Sequence, residues 1–475
     1  MFAAIDIGAS SGRVVAGLAS EDALTIEVVH RFVNGMHTSD GHLRWNLSGL
    51  FAEVLVGLSV LADRYDDVVS IGIDTWAVDY GLLGGDGTLL AEPIAYRDSR
   101  TDAVISGVDG VISRKRQYEI NGLQFLPFNT IYQLAAEQQG DLWPRVEHAV
   151  LLPDLLAYWL TGELRTEITN ASTTGLLDAR SRSWSAEAFD AISLRHDLFP
   201  PLIEPGETVG AITTEIAERT GLPASTAVVA VGSHDTASAV VAVPAADRDV
   251  AYVSSGTWSL VGVELDQPVI TDDSRAANFT NEGGVDARVR FLRNVGGLWL
   301  LQESLRKWSA DGLDTDLPTL LAGAAEQPAG GPVIDVDDDA FIAPDDMPAR
   351  IQQACRASGQ SVPRDQAAIV RCIMDSLAEA YARTVAQAEQ LTGRTVRIIH
   401  VVGGGSQNDL LCRLTAERAG RPVLAGPAEA TALGNVIVQA RTAGAVEGVL
   451  ENLRAGLRNQ LALRRYEPVT GTDGP

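Results

Sequence analysis

Apolar positions open the chain in short runs, and Phe2–Ile7, Val14–Leu18 and Thr25–Phe32 read as the three strands of a meander. Between residues 48 and 62 the period changes. Leu50, Phe51, Val54, Leu55, Leu58, Leu61 and Ala62 recur at helical spacing and predict an amphipathic helix. Val68–Asp74 then reads as a buried strand, followed by Thr75–Tyr80 and a Gly-Gly-Asp-Gly turn at 84–87. Strand and helix patterns keep alternating through Ala149–Leu152 and Val228–Val231, which predicts an α/β domain built on a mixed sheet.

From about residue 245 the pattern restarts, with strands expected at Val250–Ser254, Leu260–Val263 and Val289–Arg293. A long helix is predicted from Asp365 to about Leu391, with Ile369, Ile373, Leu377, Tyr381, Val385 and Ala388 along one face and Gly393 as its C-cap. The strand Val396–Val402 enters Gly403-Gly404-Gly405-Ser406-Gln407-Asn408, a strand-to-helix turn, and a helix follows from Asp409. Residues 325–348, rich in Pro, Gly and Asp, read as a surface excursion. The restart divides the chain into an N-terminal domain (1–244), a C-terminal domain (245–465) and a loose tail (466–475).

Composition narrows the partners. A chain of 475 residues exceeds one ordinary core, so two domains are expected. A net charge of −25 repels phosphate backbones and anionic membranes, which argues against nucleic acid, although ATP needs only a local cluster of donors. The N-terminal run carries Asp6 and no basic segment before it, so it reads as a strand and not as a signal peptide. No apolar stretch is long enough to span a membrane. Three cysteines, Cys355, Cys372 and Cys412, argue against a disulfide framework, favour a cytoplasmic location, and show no zinc spacing. A monomer or homodimer acting on small molecules is expected.

Candidate chemistry begins at Ala3–Arg13. One carboxylate, Asp6, ends an apolar run, and a turn of Gly8, Ala9, Ser10, Ser11 and Gly12 leads to Arg13. A turn of small residues lets backbone N–H groups close around phosphate oxygens, with Asp6 placed to hold a Mg²⁺ water. Ala251–Ser259 repeats the plan, and two such hairpins suggest two similar halves acting on a nucleotide. Gly232-Ser233-His234-Asp235-Thr236 puts a carboxylate at a helix start, where it reads either as an N-cap or as a base for a hydroxyl proton. Gly403–Asn408 suits an adenosine site or an ordinary turn. Trp76 and Trp258 suit sugar stacking or core packing, and Asn294 and Gln302 suit polar ligands or solvent. His30, His37, His42, His196 and His400 show no convincing partner and read as structural.

Taken in order, these segments resemble the FGGY family of carbohydrate kinases. The resemblance rests on Asp6–Arg13, His30–His37, Ile73–Tyr80, Ala95–Thr101, Gly122–Leu134, Ser233–Ala239, Ser254–Leu260, Thr280–Gly284, Asn294–Gln302 and Val402–Asn408. It implies two actin-like (ribonuclease H-like) α/β domains, mixed β-sheets flanked by helices, with a cleft between them. It implies Asp235 as catalytic base, and Ala77, His234, Asp235, Thr236 and Asn294 as ketose contacts. It implies Ala9, Ser10, Ser11, Gly12, Arg13, Thr257, Gln302 and Gly404 as the ATP site, with Asp6 as the metal-side carboxylate and ATP and Mg²⁺ as the cofactors.

Within the family, the run Gln124-Phe125-Leu126-Pro127-Phe128-Asn129-Thr130 is similar to that of members acting on L-rhamnulose. The implied reaction moves the γ-phosphoryl of ATP to the 1-hydroxyl of that sugar, a step of deoxysugar catabolism that precedes an aldol cleavage. Ala77 departs from a Gly of the family pattern and would narrow the pocket with a methyl group. A kinase for another ketose, such as fuculose or xylulose, keeps the chemistry and changes the pocket. A non-catalytic nucleotide switch is disfavoured by the intact His-Asp-Thr segment. Cys355 and Cys372 match a cysteine pair of some members, and thiols are expected in a reducing cytosol.

Overall fold

The first three strands form the expected meander: β1 (Phe2–Ile7), β2 (Ser11–Ala19) and β3 (Leu24–Val33), with antiparallel pairing along both seams. The computed structural model describes residues 1–20, 24–245, 247–342 and 344–468. The sheet is extended by β4 (Ser70–Thr75), β5 (Thr208–Ala211) and β6 (Ala227–Val229), in the order β5-β6-β4-β1-β2-β3. A second sheet is built from β7 (Val250–Ser255), β8 (Trp258–Leu265), β9 (Thr280–Gly283), β10 (Val289–Gly296), β11 (Ile398–Val402), β12 (Val423–Ala425) and β13 (Arg464–Tyr466). Its order is β9-β10-β8-β7-β11-β12-β13.

The two sheets repeat one plan. β1 pairs antiparallel with β2 and parallel with β4, which pairs parallel with β6, which pairs antiparallel with β5. β7 likewise pairs antiparallel with β8 and parallel with β11, then β11 parallel with β12 and β12 antiparallel with β13. The repeat suspected from the two hairpins is therefore a repeat of whole sheets. Parallel pairs need crossovers, and helices supply them.

The helices that matter for the site are α1 (Leu47–Ala62), α2 (Thr130–Glu137), α3 (Leu152–Thr161), α4 (Asp235–Val241), α5 (Trp299–Ala310), α6 (Gln366–Thr392), α7 (Asp409–Ala419), α8 (Ala430–Thr442) and α9 (Leu450–Gln460). The α6 stripe is buried as its spacing predicts, Asp365 caps its start, and Gly393 ends it in the left-handed conformation at φ 69°.

Two compact units result. The first comprises Met1–Ala246, Glu264–Phe291 and Ala430–Gln460; the second comprises Asp247–Val263, Leu292–Glu429 and Leu461–Pro475. In the first unit, Phe2, Ala4, Val15 and Ala19 pack with Ala432, Val436 and Ala440 of α8, so residues more than 400 positions apart share one core. A separate core of that unit gathers Tyr80, Ile131, Leu134, Leu151, Leu176, Phe189 and Phe199.

Residues 325–348 are more than the expected surface excursion. Ile334, Val336 and Phe341 are buried, and helices Leu317–Glu326 and Met347–Ala357 flank them. Those apolar residues are spaced among Asp and Pro too irregularly for any single period to reveal them. Of the expected tail, Tyr466 closes β13, and 469–475 lie outside the described residues. Three histidines read as unpartnered meet carboxylates: His30 with Glu53 at 2.7 Å, His42 with Asp98 at 3.2 Å and His196 with Asp190 at 2.8 Å. Their partners lie up to 56 residues away, beyond the reach of local spacing.

Candidate active site

The turn between β1 and β2 holds its shape through its own backbone, with Gly8 N–H donating to Ser11 O at 2.9 Å. Asn34 steadies it from β3's end, donating through its side chain to Gly8 O at 2.8 Å and through its backbone to Ser10 O at 3.1 Å. Ser10 is exposed at the tip, and Ser11, also exposed, opens β2, to which Arg13 and the buried Gly12 belong. Asp6 and Arg13 are cross-strand partners, and Arg13 Nε and Nη2 both donate to Asp6 Oδ2, at 2.9 and 2.6 Å. The arginine expected to meet phosphate is engaged with the carboxylate expected to face a metal.

On the other flank of β1, Asp6 aligns with Asp74 of β4, so both carboxyls stand on one face of the sheet. Asp74 is fully buried, and its Oδ2 accepts from Asn435 Nδ2 of α8 at 2.6 Å. Burial, and after it the neighbouring Asp6 charge, push the Asp74 carboxyl well above the usual carboxylate range; the Asn435 donor opposes this and Asp235 adds to it. Its other oxygen, Oδ1, is buried with no hydrogen bond. In the sequence Asp74 is only the end of a strand, since nothing local marks a carboxylate whose donor lies 361 residues away.

Beyond β4 the chain makes the loop that carries Ala77. Val78 takes φ 69°, a left-handed conformation that a β-branched residue adopts only under strain of roughly 1–3 kcal/mol. Two side chains of α2 hold it there. Thr130 Oγ1 donates to Val78 O at 2.7 Å and Gln133 Nε2 donates to the same oxygen at 3.2 Å. Asp79 is a buried hub whose Oδ2 accepts from Trp45 Nε1 at 2.6 Å, Trp76 Nε1 at 2.9 Å and Tyr96 N–H at 3.2 Å, while Gln133 donates to Oδ1 at 3.1 Å. Burial raises this carboxyl's pKa, and the indole and amide donors work against that rise. Trp76 is thus held in the interior against Trp45, ring centroids 4.3 Å apart, and not presented as a free stacking face.

The segment Ser233-His234-Asp235-Thr236 is clamped from beneath. Thr75 N–H donates to Ser233 O at 2.9 Å, and the buried Glu167 accepts from Ser233 N–H at 3.1 Å and Ser233 Oγ at 2.6 Å. His234 takes the N-cap position and Asp235 is the first helical residue of α4, so Asp235 does not serve as the cap. Its carboxylate accepts from Thr236 Oγ1 at 3.0 Å and remains partly open, with 32% of the side chain exposed, while Thr236 itself is buried. An open carboxylate at a helix start is placed where it can accept a proton from a hydroxyl. Behind His234 lie Glu282 of β9 and Arg290 of β10, two charges the sequence reading did not single out.

In the second unit, the tight turn of the β7–β8 hairpin places Thr257 beside α5, where Thr257 Oγ1 donates to Gln302 Oε1 at 3.4 Å. Trp299 N–H donates to Thr257 O at 3.1 Å and Leu298 N–H to Gly256 O at 3.0 Å, tying the start of α5 to that turn. The triple glycine packs against the same hairpin: a Cβ on Gly405 would fall 2.0 Å from Ser255 Oγ, so only glycine fits. Gly404 opens the short 3₁₀ turn there and has no atoms within 4 Å of a Cβ position. Thr257, Gln302 and Gly404 therefore belong to one neighbourhood, and Asn294 lies on β10 two residues before Gly296, whose N–H donates to Asp337 Oδ1 at 2.9 Å.

A duplicated mixed sheet with a small-residue hairpin in each copy defines the actin-like fold. Family models agree: the FGGY carbohydrate kinase N-terminal domain matches residues 1–242 and the C-terminal domain matches 251–443. The chain belongs to the FGGY family of carbohydrate kinases. It is 42% identical over 469 residues to a rhamnulokinase of Bacteroides thetaiotaomicron, covering 98% of this chain and 96% of the other. It is 40% identical over 468 residues to a rhamnulokinase of Bacillus subtilis, covering 98% and 95%. Among solved structures, the gluconate kinase of Lactobacillus acidophilus superposes with a TM-score of 0.77 at 17% identity, over 98% of this chain and 93% of that one, which supports the fold. Among the described residues no helix is long and apolar enough to cross a membrane.

Proposed function

We propose that this chain transfers the γ-phosphoryl group of ATP to the 1-hydroxyl of L-rhamnulose, giving L-rhamnulose 1-phosphate and ADP. The observation that carries the choice of sugar is the 42% identity, over nearly the whole of both chains, to a protein named rhamnulokinase. Asp235 takes the proton of the sugar's 1-hydroxyl as that oxygen attacks the γ-phosphorus and the bond to the β–γ bridging oxygen breaks. His234, Thr236, Asn294 and the backbone of Ala77 orient the ketose. Ala9–Arg13 meet the phosphates, with Thr257, Gln302 and Gly404 on the nucleotide. Most of the rate enhancement is positioning and charge stabilisation.

A hard divalent cation suits the oxygen-only chemistry of Asp6 and the buried Asp74, whose Oδ1 has no hydrogen bond. Mg²⁺ keeps much of its water and leans on phosphate oxygens, so it needs few protein ligands. When bound it supplies charge neutralisation at those oxygens. The three cysteines, Cys355, Cys372 and Cys412, are buried thiols, in keeping with a reducing cytoplasm; a monomer or homodimer is expected.

The test is ADP release by the purified full-length protein with ATP, Mg²⁺ and a panel of L-rhamnulose, L-fuculose, D-xylulose, D-ribulose and glycerol. L-Rhamnulose is expected to give the highest kcat/KM. If another member of the panel wins, the sugar assignment falls while family membership stands.

A further inference from the structure

Arg290 is among the largest fully buried side chains of the described residues, with 0% exposure. Its Nε donates to Gly283 O at 2.9 Å, its Nη1 lies 3.1 Å from Glu282 Oε2, and its Nη2 lies 3.0 Å from His234 Nδ1. Glu282 Oε2 is itself 3.3 Å from His234 Nδ1. A buried arginine with its countercharge is weak evidence of added stability, because desolvation offsets most of the attraction. The arrangement has another consequence, for the histidine it touches.

We propose that the buried Arg290–Glu282 pair is a positioning device that commits His234 to the tautomer carrying its proton on Nε2. A guanidinium has donors only and stays charged, so the nitrogen that meets Nη2 must offer a lone pair. A proton on Nδ1 would confront Nη2 donor to donor. Glu282 is the group that would otherwise draw a proton to Nδ1, and the Arg290 charge 3.1 Å from its Oε2 offsets that pull, with no hydrogen bond between Nη1 and Oε2. The backbone of the segment is fixed independently, since Ser233 is anchored on Glu167 and His234 N–H reaches Thr169 Oγ1 at 3.4 Å. The ring is therefore set in both place and tautomer.

The other ring nitrogen, Nε2, lies 3.5 Å from Asp235 Oδ1. That separation is too long for an aligned hydrogen bond, so the Nε2 proton is left for a ligand oxygen beside the carboxylate. This step rests on the proposed function: the ligand is the ketose, and the donor selects a sugar oxygen that accepts next to the hydroxyl that reacts. Arg290 and Glu282 then act on sugar binding through His234, without touching sugar or nucleotide.

The experiment uses full-length protein labelled with ¹⁵N at its histidines, with His234→Asn identifying the His234 signals. In the wild type, long-range ¹⁵N–¹H correlation is expected to show Nε2 protonated and Nδ1 bare. Arg290→Lys keeps a charge against Glu282 but loses the planar fork that reaches both partners. It is expected to lose the single-tautomer signature and to raise KM for the ketose about tenfold, with KM for ATP within about twofold of wild type. Should Arg290→Lys fail to fold, the double variant Arg290→Met with Glu282→Gln removes both buried charges together and carries the same expectations. A wild-type spectrum with Nδ1 protonated overturns the proposal, as does an altered tautomer with an unchanged KM for the ketose. If the wild type phosphorylates no ketose, the functional reading fails, and the spectrum alone still decides the tautomer.

Discussion

Asp235 is the residue proposed to take the hydroxyl proton, and its surroundings bear on the two roles, cap or base, that its sequence context leaves open. His234 occupies the cap position, and the Asp235 carboxylate accepts only from its neighbour Thr236 among the hydrogen bonds resolved at that site. Replacing Asp235 with Asn removes the proton acceptor and little else. Turnover of L-rhamnulose should fall by roughly 10²–10⁴ while the melting temperature barely moves and ATP binding persists. A folded Asp235→Asn protein with wild-type turnover would refute the base. Asp154 shows the opposite use of a carboxyl. It sits in the first turn of α3, where the helix end favours its charge by less than about 1 kcal/mol. It is nevertheless buried against Glu167, and burial first, then the Glu167 charge, push it well above its ordinary value. A carboxyl whose folded pKa is raised stabilises the fold while protonated and loses that contribution as pH climbs from its unfolded value, about 4, toward the raised one. Asp154→Asn has no such loss. Its stability relative to wild type should improve by up to about 1.4 kcal/mol per pH unit across that window, measured by urea unfolding at pH 5 and pH 7. A difference independent of pH would count against the burial argument.

At the scale of elements, helix α2 does its work on a loop outside itself. Its first residue, Thr130, and its fourth, Gln133, hold Val78 in a conformation the valine would not choose. The segment Gln124–Thr130, whose residues suggested the sugar, is thus joined to the Trp76–Tyr80 loop at Val78 O. Thr130→Val keeps shape and burial and deletes one donor to Val78 O, a change of about 1 kcal/mol. It should raise KM for the ketose severalfold and leave KM for ATP unaltered in steady-state assays. Equal rises in both constants would show that the helix supports the protein generally and not the sugar loop. The strands and long helices themselves were legible in advance. β1 to β3, α1 and α6 fall within a few residues of their periodic runs, because their apolar faces repeat at 2 or 3.6 residues and their ends carry caps and turns. The buried hub at Asp79 was not legible, since Trp45, Tyr96 and Gln133 reach it from three separate elements.

For the molecule as a whole, the first unit is not a continuous stretch of chain. Helix α8 supplies Ala432, Val436 and Ala440 to the core under β1 and β2, and its Gln439 donates to Ala3 O at 3.0 Å. A fragment ending at residue 244 would leave that apolar face bare and Asp74 without Asn435. It should lack a cooperative thermal transition by circular dichroism and bind a hydrophobic dye. A sharp, reversible melt of the isolated fragment would show that α8 is dispensable for folding.

The sequence by itself determined what local patterning can carry: the two small-residue hairpins, the alternation of strands and helices, the restart near residue 245, and the His-Asp-Thr segment at a helix start. Each depends on side-chain period or turn chemistry within a dozen residues. The tertiary structure alone decided which charges meet. It set Asp74 beside Asp6 and under Asn435, Arg13 on Asp6, and Arg290 with Glu282 behind His234. A buried polar group must be satisfied by whatever the fold brings alongside it, and those partners lie from 7 to 361 residues away in the chain. Register between strands, and the return of α8 to the first sheet, set those meetings, and neither leaves a mark in the local spacing of residues.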